Sequence, residues 1–311
     1  MTDRPVITIL IPTFNRKDTL LKCLAALGTQ SYPQNLFEVI IINDGGGTAT
    51  EDAVKHFSGT SDYRLWYFKQ EKQGPAAARN VGIENANGRI ILFIGDDTIP
   101  HHDLVKEHMS SHDQYREDNI AVLGHITWDP AIGITPFMHW LENGGPQFAY
   151  GEIKNKVDVD ARKFFYTSNI SLKKKFIIEN SGYFDASFPY AAFEDIELGH
   201  RLAKKGLILK YNEKALNLHD HKTSVENFCK RMVHVGESSC ILREKIGDTV
   251  VESKKLIQIK RFIATICSFF VYPIARYCED KICIGFIYKI LSRSYFLIGK
   301  SQWLLSEKTH E

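Results

Sequence analysis

The sequence predicts an α/β protein: a mainly parallel, mixed sheet flanked by helices, followed by a helical C-terminal extension. Three observations predict it. Apolar runs recur through the first hundred positions, and each ends in polar or glycine residues. Amphipathic stretches alternate with those runs, as expected of right-handed strand–helix–strand crossovers. From about Val225 the composition changes to long apolar stretches set among basic residues.

Val6 to Ile11 (VITILI) predicts a strand buried on both faces, ending at Pro12-Thr13-Phe14-Asn15. A helix follows from about Lys17 to Thr29, with Leu20, Leu21, Leu24 and Leu27 on one stripe. Phe37 to Ile42 predicts a second strand, closed by Asn43-Asp44-Gly45. Helical residues near Glu51 to Phe57 lead to a third strand around Leu65 to Phe68. Gly74-Pro75 then starts an alanine-rich element carrying Arg79, a residue that could hold a diphosphate or simply pair with Glu84. Ile90 to Ile94 is a fourth buried strand. It delivers Gly95, the adjacent carboxylates Asp96 and Asp97, and Pro100, which cannot continue a ladder.

Ligands of open α/β sheets bind beyond the carboxyl ends of strands. Two adjacent anions there repel unless a cation offsets them, and hard oxygen ligands suit Mg²⁺ or Mn²⁺. The alternative for both acids is a solvated turn. Asp44, in Asn-Asp-Gly, is either a turn former or an acceptor for a nucleotide base or ribose. There is no GxGxxG after the first strand and no GxxxxGK[ST] anywhere, which disfavours a dinucleotide oxidoreductase and a P-loop NTPase.

Later elements follow the same logic. His101 to about Glu117 reads as a polar helix, so His101, His102, His108 and His112 are expected at the surface. Ile120 to Leu123 is another strand. Trp128, Phe137, Trp140, Phe148 and Tyr150 crowd the segment to Gly151; a core beneath a long loop is the default reading, a flat face for a sugar or lipid the other. Phe164 to Ile177 gives a short strand and a helix start. Glu194 and Asp195 open a helix that Gly206 closes, where the macrodipole alone would favour acids. A strand through Ala215 then brings His219 and His221 to one side.

A net charge of +2 does not suggest a nucleic-acid partner. Six cysteines without a CxxC pair fit reduced thiols. The N-terminal residues lack the apolar core of a signal peptide, so a cytoplasmic location is expected.

Taken in order, PTFNR (Pro12 to Arg16), NDG (Asn43 to Gly45), GPAAARNVG (Gly74 to Gly82) and GDDTIP (Gly95 to Pro100) resemble the nucleotide-binding half of a family 2 glycosyltransferase. The likeness is to inverting, GT-A-fold enzymes of the kind that build bacterial cell-surface polysaccharide or glycolipid. Gly95 stands where many members have an aspartate. The resemblance implies a nucleotide-sugar donor, UDP-linked as first choice, with Mn²⁺ or Mg²⁺ and a glycan or lipid-linked acceptor. It implies a base contact for Asp44, a ribose contact for Asp96 and metal ligation by Asp97. Pro12, Thr13 and Arg79 would line the nucleotide pocket. Asp195 would be the general base, Glu194 would orient the acceptor, and His219, in preference to His221, would be a further metal contact. Ser168 and Asn169 are candidates on the acceptor side. Displacement at the anomeric carbon needs such a base, and charge stabilisation on the departing diphosphate.

On this reading residues 1–224 form the catalytic domain, with a nucleotide half (1–100) and an acceptor half (101–224). Residues 225–311 form a basic helical extension with fourteen Lys/Arg against nine Asp/Glu. Its apolar stretches, Phe262 to Ala275 and Ile282 to Ile290, are each too short to span a membrane. They either lie on the anionic inner leaflet or pack against the catalytic domain or a dimer partner. The competing functions are a nucleotidyltransferase and a non-catalytic glycan- or membrane-binding module. A nucleotidyltransferase would place a glycine-rich basic loop after the first strand, where this chain has PTFNRKDT.

Overall fold

The computed structural model describes residues 4–147, 149–180, 183–248 and 252–307, so Phe148 and Gly182 lie outside the described residues. The chain forms two compact units: 1–129 with 155–187 and 194–221, and 130–154 with 188–193 and 222–311.

The first unit begins with the predicted alternation: β1 (Ile7–Thr13), α1 (Lys17–Leu27), β2 (Phe37–Asp44), α2 (Thr48–Ser58), β3 (Arg64–Gln70), α3 (Pro75–Asn85) and β4 (Ile90–Ile94). β5 (Thr98–Pro100), α4 (Leu104–Gln114) and β6 (Ile120–Trp128) follow. After α5 (Pro136–Asn143), which belongs to the second unit, come β7 (Asp158–Val159), α6 (Ala161–Phe164), β8 (Asn169–Lys173), α7 (Lys174–Asn180), α8 (Glu194–Lys204) and β9 (Ile208–His219).

The sheet order is β3-β2-β1-β4-β8-β6-β9-β5, with β7 paired to β9. β3, β2, β1 and β4 run parallel, as expected for strands joined by helices. Beyond β4 the sheet is mixed, because β8 lies antiparallel between β4 and β6. The continuous apolar runs explain the centre: every residue of β2 and β4 is buried. On one face Ile7, Ile9 and Ile11 pack with Leu20, Leu24 and Leu27 of α1, the stripe the leucine spacing predicts. Pro12 is tolerated inside β1 because the β1–β4 ladder already ends at Leu10–Phe93.

His101 and His102 are exposed as expected, but His108 and His112 are not surface residues. Both are buried on the face of α4 that meets the sheet. The residues around them look polar, but distant side chains of β8 accept the two rings in the interior. His108 spans Ser171 Oγ (2.8 Å) and Asn169 Oδ1 (2.9 Å), and His112 Nε2 reaches the same Ser171 hydroxyl (2.9 Å). Burial pushes the His108 imidazole down to about 4; burial, with the Lys173 ammonium next in size, pushes His112 to about 2. Between pH 6.5 and 4 the unfolded chain therefore binds protons that folded His108 refuses, so stability falls as the solution is acidified. His108→Gln should remove this group's share of that slope, on the order of 3 kcal/mol for a shift of this size, leaving the part due to His112, measured as the urea midpoint at neutral and acid pH.

In the second unit, Phe137 and Trp140 of α5 are buried with Phe228 and Tyr288, with ring centroids 4.9–6.0 Å apart. Tyr150 is buried too, so these rings form a core rather than an open sugar face. Three long helices complete the unit: α9 (Val225–Ile246), α10 (Lys254–Cys278) and α11 (Gly285–Glu307). The expectation of short apolar pieces is corrected here. α10 continues through Pro273 for 25 residues and is long and apolar enough to cross a membrane by length and composition.

α9 and α11 approach so closely that only glycine fits at the crossing. A Cβ on Gly299 would stand 2.0 Å from the Val233 carbonyl oxygen, and one on Gly236 would stand 2.2 Å from that of Phe296. Backbone cannot yield as a side chain can, so Gly299→Ala should destabilise by about 3 kcal/mol, the upper end of overpacking costs. Gly151→Ala, where a Cβ meets nothing within 4 Å, is the control that should be near neutral in the same urea titration.

Candidate active site

The polar ends of the strands gather along one sheet edge, and the ladder registers define it. Thr13 closes β1 opposite Asn43, Asp44 closes β2 opposite Gln70, and Asp96 and Asp97 follow β4. Because β8 is antiparallel to β4, its first residue, Asn169, pairs with Ile94. The residues just before β8 therefore lie at this same edge. Among them is Thr167, whose N–H donates to Asp195 Oδ2 (3.4 Å). Asp44, Asp97 and Asp195, widely separated along the chain, thus share one edge.

At the end of β1, Asn15 takes a left-handed conformation (φ 54°), which a short polar side chain tolerates. Arg16 follows, and its guanidinium bonds both Asp97 and Asp96, the latter at 3.3 Å. Thr13 Oγ1 donates to Asp96 Oδ2 (2.7 Å). Beyond the acids, β5 pairs Thr98 with His219 of β9, which sets His219 Nε2 3.8 Å from Asp97 Oδ1. The edge-on Trp128 ring, 5.3 Å from the His219 ring, packs against it.

These neighbours split the two acids electrostatically. Burial first, and then the adjacent Asp97 charge, push Asp96 up to about 6, against the opposing pull of Arg16 and Thr13. Burial works to raise Asp97 as well, but His219, Arg16 and His221 together hold it below the usual carboxylate range. Asp97 therefore stays ionised throughout the neutral range, whereas Asp96 takes up a proton as the pH falls through about 6.

Asp44 is already engaged by the protein. Its Oδ1 accepts from Gln70 Nε2 (2.7 Å) and the Gln73 N–H (2.8 Å), and its Oδ2 from the Gly74 N–H (2.8 Å). Gly74 adopts φ 91°, a conformation that side-chain-bearing residues avoid, immediately before α3. Asp44 thereby fixes the start of the helix that carries Arg79. A carboxylate oxygen accepts twice, so Oδ2 keeps one lone pair for a further donor.

Arg79 does not pair with Glu84. It reaches Glu194 at the start of α8 (2.8 Å), and Phe184 lies against its guanidinium, 5.5 Å from the ring centroid. Glu194 Oε2 and Arg79 Nε are both buried without a hydrogen-bond partner, so the pair retains one free acceptor and one free donor. Asp195 sits beside it, with the Ile196 N–H on its Oδ1 (2.8 Å). Burial, then the neighbouring Glu194 charge, push the Asp195 carboxyl well above the ordinary range, while Arg79 and two backbone N–H groups pull the other way.

Asn169 is not open to a ligand. It is fully buried, donating to the His125 and Ala215 carbonyls and accepting His108. Ser168 is half-buried, and its carbonyl accepts from Asn217 (3.4 Å). The residue that sequence reasoning passed over is Arg16, quoted in PTFNR but given no role. The signal was available: two adjacent acids at a sheet edge require a cation, and Arg16 ends the loop on the neighbouring strand.

Comparison with known proteins gives a consistent result. The sequence model of the family described as glycosyl transferase family 2 matches residues 8–193. The glycosyltransferase AglE of Haloferax volcanii is 33% identical over 184 residues, 58% of this chain and 56% of that protein, so the likeness spans little more than half of the relative. The Methanococcus voltae dolichyl N-acetyl-alpha-D-glucosaminyl phosphate 3-beta-D-2,3-diacetamido-2,3-dideoxy-beta-D-glucuronosyltransferase is 24% identical over 250 residues, 77% of this chain and 74% of that protein. Among solved structures, the mannosyltransferase PcManGT from Pyrobaculum calidifontis, in complex with GDP-Man and Mn²⁺, superposes with a TM-score of 0.59 at 14% identity, covering 99% of this chain and 76% of that one. S. aureus TarS 1–349 in complex with UDP gives 0.57 at 16% identity, covering 98% and 92%. At such identities the superpositions speak for the shared GT-A fold. With more than half of its residues matched by the family's own model, the chain belongs to glycosyl transferase family 2.

Proposed function

We propose that this protein transfers a sugar, with inversion, from a nucleotide-sugar donor to a hydroxyl of a glycan or lipid-linked acceptor. The observation that carries the reading is the shared sheet edge. It holds an ionised Asp97 beside His219 and, through the β4–β8 register, Asp195 at the head of α8.

Each residue then has a chemical task. Asp44 Oδ2 accepts an N–H of the nucleotide base with its remaining lone pair, and Asp96, held by Thr13, meets the ribose. Pro12 and Thr13 form the wall at the end of β1. Asp195 takes the proton of the acceptor hydroxyl as that oxygen bonds the anomeric carbon and the carbon–oxygen bond to the diphosphate breaks. A carboxyl with a raised pKa suits this work, since a general base is most effective when its pKa lies near the working pH. Glu194 orients the acceptor with its unpaired Oε2, and Arg79 acts through Glu194 rather than on the diphosphate.

The donor set fits a divalent cation only in part. Among the described residues no three His, Cys, Asp or Glu side chains gather into a self-sufficient site. One carboxylate oxygen and one imidazole nitrogen fit an ion that completes its shell with phosphate oxygens and water. A bound Mn²⁺ or Mg²⁺ would be held by Asp97 and His219 and would supply charge neutralisation on the leaving diphosphate. Arg16 balances the two acids when no donor is bound.

Calorimetric titration with UDP, GDP and TDP, with and without Mn²⁺, tests the reading. Binding of at least one nucleoside diphosphate that strengthens with Mn²⁺ is expected, UDP being the first candidate. Failure of all three to bind in the presence of metal would remove the proposal.

A further inference from the structure

α10 presents to solvent what a soluble helix normally hides. Leu256, Ile259, Ile263, Ile266, Phe270 and Ile274 recur at three- and four-residue spacing, and all are exposed. Phe262, Phe269 and Tyr277 widen the stripe, with Phe269 73% exposed. Ile257, Ala264, Ser268 and Ala275, on the opposite side, are buried where α10 packs along α11. The small residues allow that close packing, and the large ones point away from it. Phe286, near the start of α11, extends the apolar surface at 75% exposure. A contiguous patch of this kind marks a binding surface, not ordinary surface scatter.

Charge identifies the partner. Lys254 to Cys278 contains no acidic residue. Lys254, Lys255 and Arg261 are exposed at its start, and Lys281 lies over the Tyr277 ring just past its end, 3.5 Å from the centroid. On a helical wheel Lys254 and Arg261 fall between the apolar stripe and the buried face. That is where ammonium and guanidinium groups meet phosphate headgroups when the stripe sinks among acyl chains. A second copy docked in parallel would bring the same cations against each other, whereas an anionic bilayer offers phosphate to all of them.

We infer that the α10 stripe docks this protein on an anionic lipid bilayer, lying in the interface rather than crossing it. The length of α10 would permit crossing. However, Glu252, just before α10, is bridged by Lys300 (3.2 Å) and Lys260 (2.6 Å), so α11 runs back antiparallel alongside it. A spanning pose would carry Lys289 and Arg293 of α11 into hydrocarbon, where cations are strongly disfavoured. Lying flat buries the aromatic stripe and leaves those groups in water. The inference uses no substrate, so it stands or falls separately from the transfer reading.

The test is sedimentation of the full chain with phosphatidylcholine vesicles, with or without phosphatidylglycerol. Binding to the anionic vesicles is expected, at least about ten-fold tighter than to the neutral ones and reversed by high salt. Lys254→Glu with Lys255→Glu and Arg261→Glu should weaken it about ten-fold or more, as should Phe269→Ser with Phe270→Ser. These side chains are exposed, so helix content by circular dichroism should not change. Phe269→Trp, which preserves the stripe, should show a blue-shifted emission on adding anionic vesicles, and alkaline carbonate should release the protein. Three results would overturn the inference: no association and no emission shift, a carbonate-resistant insertion, or a soluble dimer that the Phe269 and Phe270 substitutions dissociate.

Discussion

Asp195→Asn is expected to lower the rate of sugar transfer about 10²- to 10⁴-fold, the range a positioned general base supplies, with nucleoside diphosphate affinity unchanged. The substitution keeps the size of the side chain and its acceptor for the Thr167 or Ile196 N–H, but removes its ability to take a proton. The same change should stabilise the fold. Burial beside Glu194 raises the Asp195 carboxyl, so above the ordinary carboxylate range the folded chain holds a proton that the unfolded chain has released. Stability from that group is present at low pH and lost as pH rises through its folded value. Asn carries no charge there, so the variant should melt at a higher temperature than the parent, increasingly so on the alkaline side. Wild-type transfer should show an acid limb above the ordinary carboxylate range, which the variant's residual activity lacks. Near-normal turnover by the Asn variant would exclude Asp195 as the base.

Asp97→Ala should have the second largest effect, and on a different step. Loss of Mn²⁺-supported nucleotide affinity of about 100-fold or more is expected, at or beyond the roughly 10–100-fold that losing a mere outer-shell partner of a ligand costs. Binding measured without metal should change little. A second readout is independent of any ligand: the Asp97 charge is one of the two groups of causes holding Asp96 high, so the Asp96 carboxyl should titrate lower in the variant, followed by carboxyl carbon NMR. If Mn²⁺ strengthens nucleotide binding equally in both proteins, Asp97 is not the metal's anchor.

Much of the fold could be read from the chain because its central strands announce themselves locally. A run such as Ile90 to Ile94 has no amphipathic alternative, and the glycine and acids that follow can only lie at the strand's end. Leucine spacing in α1 and the acids at the head of α8 are equally local signals. Other features were hidden for a common reason. The polar look of α4 disguised His108 and His112, whose burial depends on Ser171 and Asn169, some sixty residues away. Pro273 suggested a break in α10, but packing along α11 supports the helix across it.

The sequence by itself determined which strands form, where their polar ends fall, and that carboxylates occupy two of those ends and the head of a later helix. Apolar periodicity and turn chemistry act over a few residues, so no distant partner is needed to read them. Only the tertiary structure decided how those charges are balanced. Arg16 meets Asp97 across 81 positions, Arg79 meets Glu194 across 115, and His219 reaches Asp97 only because β5 and β9 pair. Which cation offsets which buried acid is set by long-range contact, and that selection leaves one carboxylate of the edge ionised and another able to take up a proton near neutrality.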